Sequence, residues 1–231
     1  MIFSGPPGTG KTTIARIMAK LLYGLNYLTE GQFIETDRSG LIAGYVGHTA
    51  MKTTELVNSA LGGVLFIDEA YSLTPKKDGN GFETEAIDTL VKLMEDNRKN
   101  LVVIFAGYDR DMELFLKSNT GLKSRIPYTF HFEPYNVNEL AKISEIMLNS
   151  KSYILDHTVT QEIISAQIDR INIMTDKIKI GNARLIRDMI ERIIQEQNIR
   201  LYPKGNKVTS DELKTIVLDD LINAANYLIA H

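Results

Sequence analysis

The chain has 231 residues, 44% of them hydrophobic and 24% charged, the composition of a globular protein with room for one large domain or two modest ones. No apolar run approaches the roughly 18 residues of a membrane span, and no secretory signal pattern opens the sequence, so the expectation is a cytoplasmic protein with no membrane partner. The absence of cysteine excludes disulfides and thiolate metal sites, and His48, His131, His157 and His231 are scattered without ligand spacing. Net charge is −3, with 14 basic and 16 acidic residues through Pro134 and 12 and 13 beyond it, so neither part carries a basic footprint and nucleic acid is disfavoured as a partner.

Taken in chain order, Met1 to Ser4 is a short apolar strand candidate, followed by the run Gly5-Pro6-Pro7-Gly8-Thr9-Gly10-Lys11-Thr12. Ile14, Ala15, Ile17, Met18, Leu21 and Leu22 then recur at helical spacing, with Gly24 as the stop. A strand over Gln32 to Thr36, a loop from Asp37 to Gly47 and a helix from about Thr49 to Leu61 come next, and Gly62-Gly63 ends that helix. Val64 to Ile67 is the clearest strand. A polar segment, Thr74 to Gly81, leads into a helix from about Glu83 to Asn97, with Ala86, Ile87, Leu90, Val91 and Met94 on one face.

Leu101 to Ala106 is a second continuous apolar strand; such uninterrupted runs suit strands buried on both faces of a parallel sheet flanked by helices. A short helix near Met112 to Lys117 and a strand over Tyr128 to Glu133 complete an alternating β/α half. Beyond Pro134 the periodicity is helical only, over about Asn138 to Asn149, Thr160 to Met174, Asn182 to Leu201 and Ser210 to Ile229, the last open to a break. The expected organisation is an α/β domain over 1–134 and a small all-α domain over 135–231, joined at Pro134-Tyr135-Asn136.

The run from Gly5 to Thr12 fits G-x-x-x-x-G-K-[ST], the phosphate-cradling pattern, and sits between a strand and a helix as that pattern requires. Glycines let backbone N–H groups converge on phosphate oxygens, and the following helix points its positive end at the same anion. Lys11 is expected to reach the β- and γ-phosphates and the Thr12 hydroxyl to ligate Mg²⁺, with Pro6, Pro7, Gly8, Thr9, Gly10 and Thr13 completing the contact run. The strand Val64 to Ile67 ends in Asp68-Glu69, an acidic pair at the place where open α/β sheets bind ligands. Asp68 is expected to hold Mg²⁺ and Glu69 to orient and polarise an attacking water. ATP and Mg²⁺ are the expected cofactors.

With the phosphate loop, the acidic strand end and the helical second half in view, the chain resembles an AAA+ ATPase. Gly44-Tyr45-Val46-Gly47-His48-Thr49-Ala50, Asp68-Glu69-Ala70-Tyr71-Ser72-Leu73, Ala106-Gly107-Tyr108, Ser124-Arg125-Ile126 and Gly181-Asn182-Ala183-Arg184 are similar to the group holding the red-type rubisco activases and the sporulation protein K relatives. The resemblance implies a P-loop NTPase sheet with a helical lid, ATP hydrolysis to ADP and phosphate, and ATP-dependent homo-oligomerisation into a ring, expected to be a hexamer. It implies that Tyr45, Val46 and Gly47 form a pore loop gripping a polypeptide client. It also implies that Arg125 is an arginine finger offered to a neighbouring subunit, beside Lys123 where relatives often carry a second arginine, and that Arg184 is the lid arginine that closes on bound nucleotide. Two departures stand out. The strand after the acidic pair ends in Ala106-Gly107-Tyr108, which leaves Tyr108 as the candidate γ-phosphate sensor, and Met1 lies within the strand feeding the loop, as in a chain lacking the segment that covers adenine, with weakened base contacts expected. The alternative function is a nucleotide-controlled binding module or scaffold with little turnover.

Overall fold

A computed structural model of the chain describes residues 1–45, 47–75, 81–175 and 181–231. The chain forms two compact units, Met1–Pro6 with Gly10–Glu133, and Pro7–Thr9 with Pro134–His231.

In the first unit, β1 (Ile2–Ser4), β2 (Phe33–Thr36), β3 (Val64–Ile67), β4 (Val102–Gly107) and β5 (Thr129–His131) form a parallel sheet in the order β2-β3-β4-β1-β5. Every residue of β3 and β4 is buried, and successive side chains leave on opposite faces. Leu65, Ile67, Val103 and Phe105 pack with Val57, Ile87, Leu90 and Phe115. Those partners belong to α3 (His48–Ser59), α4 (Phe82–Asp96) and α5 (Asp109–Ser118). Val64, Phe66, Ile104 and Ala106 join Phe3, Ala15 and Ala19 on the other face, which is covered by α1 (Lys11–Gly24). The pairing register sets Ser4 beside Gly107, Ile67 beside Phe105 and Thr36 beside Ile67, so the segments after β1, β4, β3 and β2 all emerge from one edge of the sheet.

Three local features in this unit go beyond the sequence reading, and the second corrects it. The apolar stripe of α1 is only half a core face: Ala15 and Ala19 are buried, whereas Ile14, Ile17 and Leu21 are exposed. The stretch from Asp37 to Gly47 is not loop throughout, because Asp37 caps a short helix, α2 (Arg38–Leu41), by accepting from the N–H groups of Ser39 (2.7 Å) and Gly40 (3.3 Å). A further short helix, α6 (Thr120–Arg125), starts where the Asn119 side chain accepts from Leu122 N–H at 3.0 Å. Residues 76–80 of the polar segment between Thr74 and Gly81 lie outside the described residues.

The second unit is helical, with α7 (Val137–Ser150), α8 (Gln161–Thr175), α9 (Ala183–Leu201), α10 (Ser210–Lys214) and α11 (Leu218–Ala230) around one core of Leu140, Ile168, Ile186, Met189, Ile193 and Leu221. The expected break in the final helix is present, and it is a strand: β7 (Thr215–Ile216) pairs in parallel with β6 (Ile154–Leu155). The buried Gln197 side chain donates to the carbonyls of Glu212 (3.3 Å), Leu213 (3.1 Å) and Thr215 (3.0 Å) at this break. Helical periodicity alone missed this two-stranded element, because two residues per strand are too few to show a period.

Asp220 is almost fully buried and takes a bidentate pair of hydrogen bonds from Arg200, Nε to Oδ1 at 2.8 Å and Nη2 to Oδ2 at 2.9 Å. Its Oδ2 also accepts from Val217 N–H at 3.1 Å, which closes the start of α11. Asp220→Ala leaves the guanidinium with no carboxylate and only its bond to Thr215 O at 3.3 Å, and is expected to cost about 3–5 kcal/mol of stability. Thermal unfolding monitored by circular dichroism checks this: a melting curve superimposable on wild type would show that the pair contributes nothing. Among the described residues no helix is long and apolar enough to cross a membrane.

Candidate active site

The phosphate loop begins where Gly5 leaves β1 at φ 141°, its N–H donating to Gly107 O at 3.2 Å. A Cβ at Gly5 would lie 2.3 Å from the Phe132 carbonyl oxygen, so the backbone passes where only glycine fits. Gly10, at φ 90°, precedes α1 and offers no side chain to cap it, and the first turn holds no acidic residue. The N–H groups opening α1 therefore keep their positive end for an anion from outside the helix. Lys11 Nζ donates to Gly5 O at 2.9 Å and Pro6 O at 2.8 Å, which folds the start of the loop around the ammonium.

Asp68 and Glu69 follow β3 at the same edge of the sheet, one strand beyond β4 from the phosphate loop. Two strand spacings separate β1 from β3, about 10 Å, a gap that suits phosphates and a hydrated metal ion. Asp68 N–H extends the β2–β3 ladder to Thr36 O at 2.8 Å, and Asp68 Oδ1 accepts from Glu69 N–H at 3.0 Å. Glu69 itself sits in the left-handed region at φ 47°, ψ 41°, with its side chain exposed. A non-glycine residue held there is strained, and such strain gathers at functional sites. A polar groove of about 440 Å³ runs beside the pair, lined also by Glu35, Thr36, Asp37, Ser39 and Gly40, none of which sequence reasoning had singled out.

Tyr108 emerges from β4, between the loop and the acidic pair, and stacks on Tyr71 with ring centroids 5.7 Å apart and planes 28° apart. Burial first, and then the Glu69 carboxylate, push the Tyr71 phenol up to about 12, so it remains protonated and a hydrogen-bond donor at neutral pH. Tyr71 was legible as a motif residue but not as a ring partner. Hard oxygens on Thr12 and Asp68 are of the kind that hold Mg²⁺ when phosphates supply the rest of its shell. The glycine-only backbone, the uncapped helix start and the Lys11 ammonium fit a nucleotide polyphosphate.

Tyr45 stands on the segment between α2 and α3 with 75% of its surface exposed, its ring 5.9 Å from that of His48, the first residue of α3. The start of the segment is pinned to α3: Lys52 Nζ donates to Ile42 O at 3.1 Å, Thr53 Oγ1 to Leu41 O at 3.1 Å, and Ala43 N–H to Thr49 Oγ1 at 3.1 Å. Gly47, at φ 79°, opens α3. Val46 lies outside the described residues.

Arg125 is the last residue of α6; its Nε lies 3.4 Å from Glu95 Oε2 and its Nη1 donates to Gly121 O at 3.2 Å. Lys123 is exposed on the same helix. Arg184 is exposed in the first turn of α9, in the second unit.

The family model for the ATPase family associated with various cellular activities, AAA, matches residues 1–133. The chain belongs to this family of ATPases. The AAA lid domain model matches residues 136–229 of the same chain. Stage V sporulation protein K of Bacillus subtilis (strain 168) is 42% identical over 96% of this ATPase and 68% of its own length. The chloroplastic ribulose bisphosphate carboxylase/oxygenase activase of Cyanidioschyzon merolae is 40% identical over 97% of the chain and 75% of its own length. Among solved structures, the FIGL-1 AAA domain in complex with ADP superposes with a TM-score of 0.67 at 21% identity, covering 98% of this chain and 70% of that one, a likeness of fold. This AAA ATPase therefore has the nucleotide-binding sheet and helical lid of its family, and its reaction is ATP hydrolysis.

Proposed function

We propose that this ATPase is a cytoplasmic remodeller that assembles with copies of itself into a ring, a hexamer, and uses ATP hydrolysis to pull a polypeptide client through the ring's centre. The observation that carries this reading is Tyr45: a large ring, 75% exposed, on a segment whose start, at Leu41 to Ala43, is hydrogen-bonded to α3 and whose end runs into that helix. An exposed aromatic on a short anchored loop offers sequence-tolerant contact area, which suits a handle for unrelated chains better than a buried core role. The balanced charge of both parts favours a polypeptide over nucleic acid as the client.

When bound, ATP would supply the transferable phosphoryl group and Mg²⁺ would neutralise charge on its oxygens. Lys11 and the N–H groups opening α1 bind the phosphates, with Thr12 and Asp68 as the protein's metal ligands. Glu69 orients the attacking water and takes its proton at a carboxylate oxygen. Arg125 of one copy reaches the nucleotide of the next, and Arg184 acts on the nucleotide of its own subunit.

Lys11→Ala removes an ammonium whose charge-assisted bonds are worth roughly 1.5–3 kcal/mol each, so ATP affinity is expected to fall by about 10²-fold or more. Fluorescent-nucleotide titration measures it. The ring reading is tested by sedimentation of the Glu69→Gln protein with and without ATP: a nucleotide-dependent shift to a closed oligomer supports it, and a monomer under both conditions overturns it. Tyr45→Ala is expected to keep basal phosphate release while losing the stimulation that an unfolded polypeptide such as casein gives to wild type. Equal stimulation of both proteins would remove Tyr45 from client contact.

A further inference from the structure

The tip of the phosphate loop is held by hydrogen bonds to three successive carbonyls, all from donors in the second unit, to which Pro7–Thr9 belong. Asn182 Nδ2 donates to Pro7 O at 3.1 Å, Ala183 N–H to Gly8 O at 3.1 Å, and the Tyr135 hydroxyl to Thr9 O at 3.1 Å. A trans peptide points its C=O and N–H in opposite directions, so pinning these carbonyls aims the N–H groups of Gly8, Thr9 and Gly10 the other way. Those N–H groups are the ones a phosphate loop offers to its anion.

Asn182 is the centre of this arrangement. It is fully buried, and its Oδ1 accepts from Tyr135 N–H at 3.0 Å while its Nδ2 holds the loop, so the carboxamide uses both ends. Its backbone lies at φ 45°, ψ −128°, a region that only glycine occupies without strain. A buried asparagine held in a glycine conformation is strained, and such strain gathers at functional sites. Gly8, one of the variable positions of the G-x-x-x-x-G-K-[ST] pattern, closes the same contact: a Cβ there, at φ 72°, would lie 2.2 Å from Gly181 O and 3.1 Å from Arg184 N.

We infer that Asn182 and the Tyr135 hydroxyl together are positioning groups of the nucleotide site, which set the direction of the phosphate-binding N–H groups without touching the nucleotide. The inference rests on the phosphate loop binding nucleotide, which the binding loss of Lys11→Ala tests separately.

Asn182→Gly tests the inference, because glycine accepts the backbone conformation and removes the side chain that holds Pro7 O. The readouts are thermal unfolding without nucleotide and equilibrium binding of labelled ATP, competed with unlabelled ATP and with inorganic tripolyphosphate, a probe that has no base to contact. The expected result is a folded protein whose affinity for both competitors drops by about tenfold or more, the size of one lost charge-assisted or strongly placed hydrogen bond. Wild-type affinity for tripolyphosphate in a folded Asn182→Gly protein overturns the inference. Should that variant fail to fold, Tyr135→Phe decides the matter: it deletes only the hydroxyl on Thr9 O and is expected to weaken tripolyphosphate binding several-fold, and unchanged binding overturns the inference.

Discussion

Glu69→Gln is expected to bind ATP as wild type does and to hydrolyse it about 10²–10⁴-fold more slowly, the range of a lost general base. Gln keeps the size and polarity of the side chain but cannot take the proton of an attacking water. The backbone explains why the position is demanding. Glu69 is held at φ 47° between the end of β3 and the 3₁₀ turn Ala70–Leu73, with its N–H given to Asp68 Oδ1 at 3.0 Å. That bond holds the Asp68 carboxylate against the turn, while the Glu69 side chain stands exposed at the edge of the sheet. Single-turnover phosphate release together with retained labelled ATP on a filter separates chemistry from binding. A Glu69→Gln protein that releases phosphate at the wild-type rate would move the catalytic base elsewhere, with Asp37, in the same groove, as the next residue to substitute.

The sheet was legible in the sequence because its physics is local. Val64 to Ile67 and Leu101 to Ala106 read as strands buried on both faces, and their residues do divide between two cores, Leu65 and Phe105 on one side, Phe66 and Ile104 on the other. The ATPase family was legible for a related reason: the residues that touch phosphate must be small, basic or hydroxylated at fixed offsets, and Gly5, Gly10, Lys11 and Thr12 satisfy those offsets within eight residues of chain. Features that depend on distant partners were not. The outer stripe of α1 carries the same helical period as its inner one, so nothing in the pattern separates the exposed Ile14, Ile17 and Leu21 from the buried Ala15 and Ala19. The β6–β7 pair joins Ile154 to Thr215 through two residues a side, too few to carry a pattern. Asn182 and Pro7 meet across 175 positions, and no local rule marks an asparagine that will sit at positive φ.

Arg125→Ala is expected to lower turnover by about 10³–10⁵-fold, the usual worth of an arginine finger, while leaving ATP affinity unchanged. Within one subunit Arg125 is occupied by Glu95 at 3.4 Å and by the Gly121 carbonyl at 3.2 Å, with a third of its side chain still exposed. A partly exposed ion pair of this kind contributes about 0–1 kcal/mol, so releasing the guanidinium to a neighbouring nucleotide costs little against the charge it would stabilise there. Its position at the C-terminal end of α6 also favours a cation, which keeps the arginine in place whether or not a neighbour is present. Mixing decides whether the action is between subunits. Arg125→Ala subunits bind ATP but lack the finger; Lys11→Ala subunits carry the finger but bind ATP poorly. Each preparation alone is expected to be inactive, and the mixture to recover phosphate release, because some interfaces then pair an intact nucleotide site with an intact Arg125. No recovery in a mixture shown by sedimentation to co-assemble, or wild-type turnover by Arg125→Ala alone, would return Arg125 to a surface partner of Glu95.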